Sequence, residues 1–296
     1  MNQLTTIVIR SHNDLPLLQR TLSALTGQDA AFELIAFDNA SEDGGFELLE
    51  QYAKRVFDVP AGSYVPGRVL NRAMLEASSD IVVFLNADCE PFDSKWLSSL
   101  LKPFDNPRVG AAFGRQLPRP DCSPLAAKDT EATYGDGSGQ EKWRHCFSMA
   151  NCAIRRSLWQ AVSFSETLSY SEDIAWSWEI RKSGFDIRYV PEACVFHSHN
   201  YSNKQWRKRQ YGEGRAEATI FTWSAWQRSF LRYSLLPTVR QVGRDVLHCL
   251  SNRKWSGLLD IPSYRLAQML GRREGFLVGL REAEATPQWA HSVESL

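Results

Sequence analysis

An aspartate at the tip of an apolar strand carries the clearest chemistry in this chain. In Phe84-Leu85-Asn86-Ala87-Asp88-Cys89-Glu90-Pro91, the run from Ile81 to Leu85 delivers Asp88 to its C-terminal end. Ligands of open α/β sheets bind at that edge. A carboxylate held there can coordinate a hard divalent cation, and such cations bridge protein carboxylates to substrate phosphates. That points to a phosphorylated substrate. The rival is a strand-end aspartate that only caps the next helix.

Other polar groups recur at strand ends. Arg10-Ser11-His12-Asn13 closes the first apolar run and Asp38-Asn39-Ala40-Ser41-Glu42-Asp43-Gly44 the second. On one sheet edge with Asp88 they form a crevice that suits a nucleotide. Asp38 can accept from the ring N–H of a pyrimidine, and Ser11 and Asn13 can reach ribose or phosphate, although all three types are also ordinary turn residues. Gly67-Arg68-x-x-Asn71-Arg72 opens a helix whose N-terminal N–H groups and arginines would suit an anion. Ser171-Glu172-Asp173 starts another helix, where capping competes with catalysis. His197-Ser198-His199 follows the last strand. Residues i and i+2 of an extended segment face the same way, so the two imidazoles can share a metal or one can orient the other, with two structural histidines as the rival.

These groups need a scaffold, and the apolar periodicity supplies one. Strands are expected at Thr5–Ile9, Phe32–Phe37, Arg55–Val59, Ile81–Leu85, Val109–Arg115 and Phe147–Arg155, with a final pair, Ile187–Val190 and Ala193–Phe196, broken at Pro191. Helices are expected at Leu15–Leu25, Phe46–Tyr52, Val69–Ala77, Trp96–Leu101 and Glu172–Lys182. Repeated β-α-β with short loops reads as α/β, a doubly wound, parallel sheet. Pro118 to Lys142, with Tyr134-Gly135-Asp136-Gly137-Ser138-Gly139, reads as a long functional loop. The composition turns helical and basic after His199, which sets a boundary near residue 200 between a catalytic domain, 1–200, and a helical extension, 201–296.

The net charge of zero hides a gradient, from −7 over residues 1–100 to +7 over residues 201–296. An acidic, cation-binding half and a basic tail follow from it. No apolar stretch is long enough to span a bilayer, and Met1-Asn2-Gln3 before the first strand leaves no room for a signal peptide, so a cytoplasmic location is expected. The six cysteines have no CxxC spacing and read as reduced thiols.

The order of these motifs resembles the family 2 glycosyltransferases, inverting enzymes of the GT-A fold that transfer a sugar from a nucleoside diphosphate. Ser11 and Asn13, Phe37-Asp38-Asn39-Ala40-Ser41-x-Asp43-Gly44, Gly67-Arg68-x-x-Asn71, Leu85-Asn86-Ala87-Asp88, Glu172-Asp173 and His197 carry the likeness over residues 4–200. It implies a mostly parallel mixed sheet with Asp38 as base-recognising carboxylate and Asp88 as the metal-binding aspartate of a DxD motif. Asp173 falls at the general base, Glu172 beside it in a positioning role, and His197 at a late metal ligand, with His199 nearby. Arg68, Asn71 and Asn86 complete the nucleotide site, and the cofactor is Mn2+ or Mg2+. Asn86 stands where the family often has the first aspartate of DxD, which removes one negative charge. Arg10 and His12 stand where proline and an aromatic are common. The run Tyr170-Ser171-Glu172-Asp173-x-x-Trp176 with His197-Ser198-His199-x-Tyr201-Ser202 is most similar to bacterial rhamnosyltransferases of O-antigen or capsule synthesis.

The implied partners are a dTDP-rhamnose or UDP-sugar donor and a saccharide or lipid-linked acceptor; no nucleic acid is expected. A sugar-phosphate nucleotidyltransferase would need a glycine-rich basic loop after the first strand, and Arg10-Ser11-His12-Asn13-Asp14 is not one. A non-catalytic saccharide-binding relative has no use for Asp88, Asp173 and His197 together. Residues 201–281 hold 15 Lys+Arg against 5 Asp+Glu, interspersed with tryptophans, so peripheral contact with anionic membrane is expected.

Overall fold

The apolar runs fold as strands whose side chains alternate between two cores. In the computed structural model, which describes residues 4–138, 146–285 and 291–292, β1 (Thr5–Ser11), β2 (Phe32–Asp38), β3 (Arg55–Asp58) and β4 (Ile81–Asn86) pair in parallel. Val8, Ile35, Phe37, Val82 and Phe84 point into one core, and Ile7, Ile9, Leu34, Val83 and Leu85 into the other. Burial on both faces is why these strands read as near-continuous hydrophobic runs. Each fully buried Leu- or Phe-sized side chain contributes about 1.5–3 kcal/mol.

Helices cover each face through the residues their spacing selects. Leu18, Leu22 and Leu25 of α1 (Leu15–Thr26), Leu49 of α2 (Gly45–Tyr52) and Trp96, Leu97 and Leu100 of α4 (Trp96–Leu101) close one core. Val69, Leu70, Ala73 and Met74 of α3 (Pro66–Glu76) close the other.

The sheet has eight strands in the order β3-β2-β1-β4-β7-β6-β8-β5, with β5 at Glu90–Pro91, β6 at Val109–Leu117, β7 at Asn151–Arg155 and β8 at Asp186–Phe196. β7 runs antiparallel to both β4 and β6, and β5 antiparallel to β8, so the sheet is mixed and mostly parallel. The expected strand pair around Pro191 is one strand with an irregularity. Gly114 and Gln116 of β6 pair with Val190 and Val195, so residues 191–194 bulge out of the ladder and accommodate the proline.

The expected long loop is another departure. Pro124–Thr133 forms helix α5, its hydrogen bonds running from the proline start that a helix tolerates at its first turn. Gly139 to Lys142 of that stretch lie outside the described residues, as do Met1 to Gln3, 286–290 and 293–296.

The chain divides into two compact units. One holds Met1–Arg119, Thr130–Thr167 and Glu172–Ser198, and the other Pro120–Asp129, Leu168–Ser171 and His199–Leu296. Helices α6 (Arg156–Ala161) and α7 (Glu172–Lys182) belong to the first; α8 (Asn203–Ile220), α9 (Leu236–Ser251) and α10 (Trp255–Ala285) belong to the second.

Within the second unit α8 and α10 run parallel and close. A Cβ on Gly271, Gly275 or Gly279 would lie 2.3, 1.9 or 2.3 Å from the carbonyl oxygen of Arg207, Tyr211 or Arg215. A glycine at every fourth position therefore lets the two backbones touch. Arg207–Glu274 at 3.0 Å and Arg215–Glu282 at 2.8 Å flank the seam. Asp245 of α9 is buried against Lys128 at 2.6 Å and Arg265 at 2.6 Å. Among the described residues no helix is long and apolar enough to cross a membrane.

Candidate active site

Parallel pairing of β2, β1 and β4 sets their C-terminal ends side by side, with Ser11 opposite Asp38 and Arg10 opposite Asn86. Ser11 Oγ is buried and has no hydrogen-bond partner among the described residues. Leaving a buried hydroxyl unsatisfied is costly, which makes it a candidate contact for a ligand. Asp38 is 1% exposed and already engaged, since Ser41 donates to it from both N–H (2.8 Å) and Oγ (2.6 Å). It closes the turn after β2, the rival role the sequence offered. Asn13, in a left-handed conformation (φ 53°), ties the β1 and β2 loops together: its Oδ1 accepts from Glu42 N–H at 2.8 Å and its N–H donates to Ser41 Oγ at 2.9 Å.

Asp88 and His197 meet because β5 pairs with β8. Glu90 lies opposite Phe196, so the residues just before β5 stand beside the residue just after β8. A turn closed by Cys89 N–H to Asn86 C=O (2.9 Å) carries Asp88 off the β4 tip. Asp88 Oδ2 and His197 Nε2 are 3.4 Å apart, and the ligand atoms of Asp88, Cys89 and His197 all lie within 4.8 Å of one another. His197 Nδ1 lies 2.6 Å from Gln116 Oε1. An amide oxygen only accepts, so Nδ1 carries a proton there and Nε2 is the nitrogen turned toward the carboxylate. A carboxylate oxygen and an imidazole nitrogen this close can share a bound cation, and a partner on the far nitrogen is the usual support of a metal-binding imidazole.

Burial pushes the Cys89 thiol up, and Asp88 adds to the effect. A carboxylate oxygen and an imidazole nitrogen are donors that fit a Mn2+- or Mg2+-like ion. His199 is not in this group. β8 ends at Phe196, so the strand alternation that would align His199 with His197 does not extend to it, and in the second unit His199 stacks on Tyr201 with ring centroids 4.9 Å apart.

The start of α7 supplies the second pair of carboxylates. Ser171 takes a left-handed conformation (φ 57°) just before Glu172, and Asp173 Oδ1 accepts from Ile174 N–H at 2.8 Å while Oδ2 accepts from Met149 N–H at 3.3 Å. Asn86 N–H donates to Ala150 C=O at 3.1 Å, so one short segment, Met149-Ala150, links the β4 tip to Asp173. Glu172 is buried.

Arg10 lies among these groups, donating from Nη2 to Asn86 Oδ1 at 2.8 Å. Burial opposes its charge, but Tyr64, Glu172, Cys152 and Asp173 outweigh that and hold its proton more tightly than usual. The sequence placed Arg10 at the end of the first strand and as a departure from a family pattern, and gave it no role of its own. Asp14 also belongs here, its carboxyl pushed up by burial and by the charge of Asp88. Arg119 is buried behind the turn, donating from Nη2 to the Asp88 carbonyl and from Nη1 to Ser198 C=O at 3.0 Å. Gln116 and Arg119 had no sequence signal, because a lone Gln in a strand and a lone Arg in a loop are commonplace.

The expected anion site at α3 is a packing joint instead. A Cβ on Gly67 would lie 1.9 Å from the Ser165 carbonyl oxygen, so this glycine permits a close backbone approach. Asn71 donates to Phe164 C=O and Glu166 Oε1, both at 3.0 Å, and accepts from Trp159 Nε1 at 2.8 Å and Phe164 N–H at 2.9 Å. With both donors and both acceptor positions engaged, Asn71 has no capacity left for a nucleotide. Arg72 stacks over Phe57 at 4.9 Å. Exposed Arg68 approaches Glu166 at 3.6 Å.

Comparison with known proteins gives the same frame. The profile of glycosyl transferase family 2 matches residues 6–161. The chain is 30% identical over 193 residues to the O-antigen chain rhamnosyltransferase WbaN of Salmonella anatum, covering 62% of this chain and 61% of that protein. It is 28% identical over 222 residues to the O-antigen chain rhamnosyltransferase RfbN of Salmonella typhimurium, covering 71% of each. Among solved structures, the mannosyltransferase PcManGT from Pyrobaculum calidifontis, in complex with GDP-Man and Mn2+, superposes with a TM-score of 0.62 at 15% identity, over 97% of this chain and 88% of that one. That last likeness is one of fold, the GT-A arrangement.

Proposed function

Because the chain belongs to glycosyl transferase family 2, we propose that it is an inverting, cation-dependent hexosyltransferase that takes dTDP-rhamnose or a UDP-sugar as donor. The acceptor is a saccharide or lipid-linked chain of a bacterial surface polysaccharide, met in the cytoplasm at the inner face of the plasma membrane. The likeness to WbaN and RfbN supports the sugar and the pathway class. The observation that carries the chemistry is the Asp88–His197 pair, oriented by Gln116.

Asp173 takes the proton of the acceptor hydroxyl as its oxygen attacks the anomeric carbon. The new C–O bond forms as the bond to the diphosphate breaks on the opposite face, which inverts the centre. Asp88 and His197 would hold Mn2+ or Mg2+, which when bound neutralises charge developing on the departing diphosphate. Arg10 donates to Asn86 Oδ1 and orients the side chain, so its amide N–H group can be offered to the donor. Ser11 Oγ is available to ribose or base. Glu172 positions the acceptor or Asp173.

The test is nucleoside-diphosphate release from dTDP-rhamnose and a panel of UDP-sugars, with Mn2+, Mg2+ or excess chelator. Release should require donor and cation together. Undiminished release in chelator removes the cation from the scheme.

A further inference from the structure

The second unit carries an apolar helix face that looks outward. Helix α9 packs inward through Val242, Val246 and Cys249, against Leu125 and Ile261, and through Asp245, held by Lys128 and Arg265. Its other side is apolar too. Leu236 and Val239, and Leu247 and Leu250 about two turns on, share one side of the helix, and all are exposed, Val239 at 60% and Leu247 at 66%. Trp255 and Leu259, just past the end of α9, are exposed at 60% and 85%. Water-facing helix sides are normally charged, so a row of exposed apolar residues marks a surface with a partner.

The charges around this row identify the partner. Arg240 and Arg244 are exposed at the same helical steps, Arg232 precedes them and Arg253-Lys254 follows. Residues 226–259 contain six Lys+Arg and one acid, Asp245, which is buried and faces inward. A second copy of this chain meeting the face about a two-fold axis would bring arginine against arginine. An anionic bilayer offers hydrocarbon for the leucines, an interfacial layer for Trp255 and negative charge for the arginines.

We infer that the outward side of α9, continued by Trp255 and Leu259, docks the protein in the plane of an anionic phospholipid surface. This sharpens the membrane placement proposed above to one set of residues, and lipid binding is read without any sugar transfer.

The experiment is co-sedimentation of the full chain with vesicles of phosphatidylcholine alone or mixed with phosphatidylglycerol, across a salt series. Binding should require phosphatidylglycerol and weaken with salt. The combined V239Q/L247Q/L250Q variant changes only exposed side chains, so its circular dichroism should match the wild type while its vesicle affinity falls by roughly tenfold or more. R240Q and R244Q should each lower affinity about fivefold, and K102Q, in the first unit, should not. Sedimentation velocity checks whether the triple change instead dissolves a dimer.

No binding to anionic vesicles at low salt, full binding by the triple variant, or a dimer lost in place of lipid binding would each overturn the inference. Donor cleavage by the non-binding variant separates the two readings, because docking can fail while transfer chemistry persists, and the reverse.

Discussion

Gln116 Oε1 accepts a 2.6 Å hydrogen bond from His197 Nδ1, and this contact between β6 and the end of β8 fixes which imidazole nitrogen faces Asp88. Removing the amide leaves the ring able to turn or to change tautomer. Gln116→Ala should weaken Mn2+ binding about 10–100-fold, the usual cost of losing an outer partner of a metal ligand. His197→Ala and Asp88→Ala should weaken it further. Calorimetric Mn2+ titration in the presence of nucleoside diphosphate measures all three, and unchanged affinity in the Gln116 variant would remove it from the site.

Asp173→Asn keeps the shape of the side chain and the acceptor for one N–H while removing the basic oxygen. Turnover should fall about 10²–10⁴-fold with donor affinity retained. Turnover within a few-fold of wild type would hand the proton to Glu172.

Asn86→Asp supplies the first carboxylate of a DxD pattern, yet it should not tighten cation binding much. Arg10 lies 2.8 Å from the Oδ1 position, so the new charge pairs with the guanidinium. Asn86→Asp combined with Arg10→Gln frees that carboxylate and should raise Mn2+ affinity well above either single change. Equal affinities in the single and double variants would show that Arg10 does not control this position.

Gly275→Ala should destabilise the second unit by roughly 2 kcal/mol or more, because the added Cβ would sit 1.9 Å from the Tyr211 carbonyl oxygen and backbone cannot give way as a side chain does. Gly243→Ala meets nothing within 4 Å and sits within a helix, so it should be neutral or mildly stabilising. Urea unfolding of the two variants gives the comparison.

Lys54, Ser78 and Thr6 all donate to Glu33 and hold its carboxyl down at about 2. A depressed carboxyl adds stability that is complete above its ordinary range near 4.5 and disappears as pH falls through about 2. Glu33→Gln should therefore lower the melting temperature near neutral pH and flatten its fall between about pH 5 and 2, while an equal fall in both proteins would assign the acid sensitivity elsewhere.

Much of the sheet edge was legible because its strands are buried on both faces. Ile81 to Leu85 has no polar interruption, so its end, and with it Asp88, is marked by composition alone. The direction of β7 was not legible, since an antiparallel insertion leaves the same apolar pattern as a parallel one. Helix α5 was hidden by its weakly amphipathic sequence among Pro, Gly and Asp. Asn71 misled because its partners, Trp159, Phe164 and Glu166, lie about ninety positions away and carry no local mark. The pairing of His197 with Asp88 could be expected by analogy, but the nitrogen it presents depends on Gln116, which only the register of β6 against β8 brings near.

The buried cluster of Lys128, Asp129, Asp245 and Arg265 has a consequence for recombination. Asp245 is fully enclosed, yet one of its two cationic partners comes from a segment 117 positions earlier. A hybrid that joins the first 200 residues of one relative to the C-terminal part of another separates the acid from the lysine that neutralises it. Such a chimaera inherits an enclosed carboxylate without its full complement of charge, a defect costing several kcal/mol. Viable exchange of the C-terminal helices between relatives must carry residues 120–129 along with them, so inheritance in this protein follows three-dimensional units and not the order of the chain.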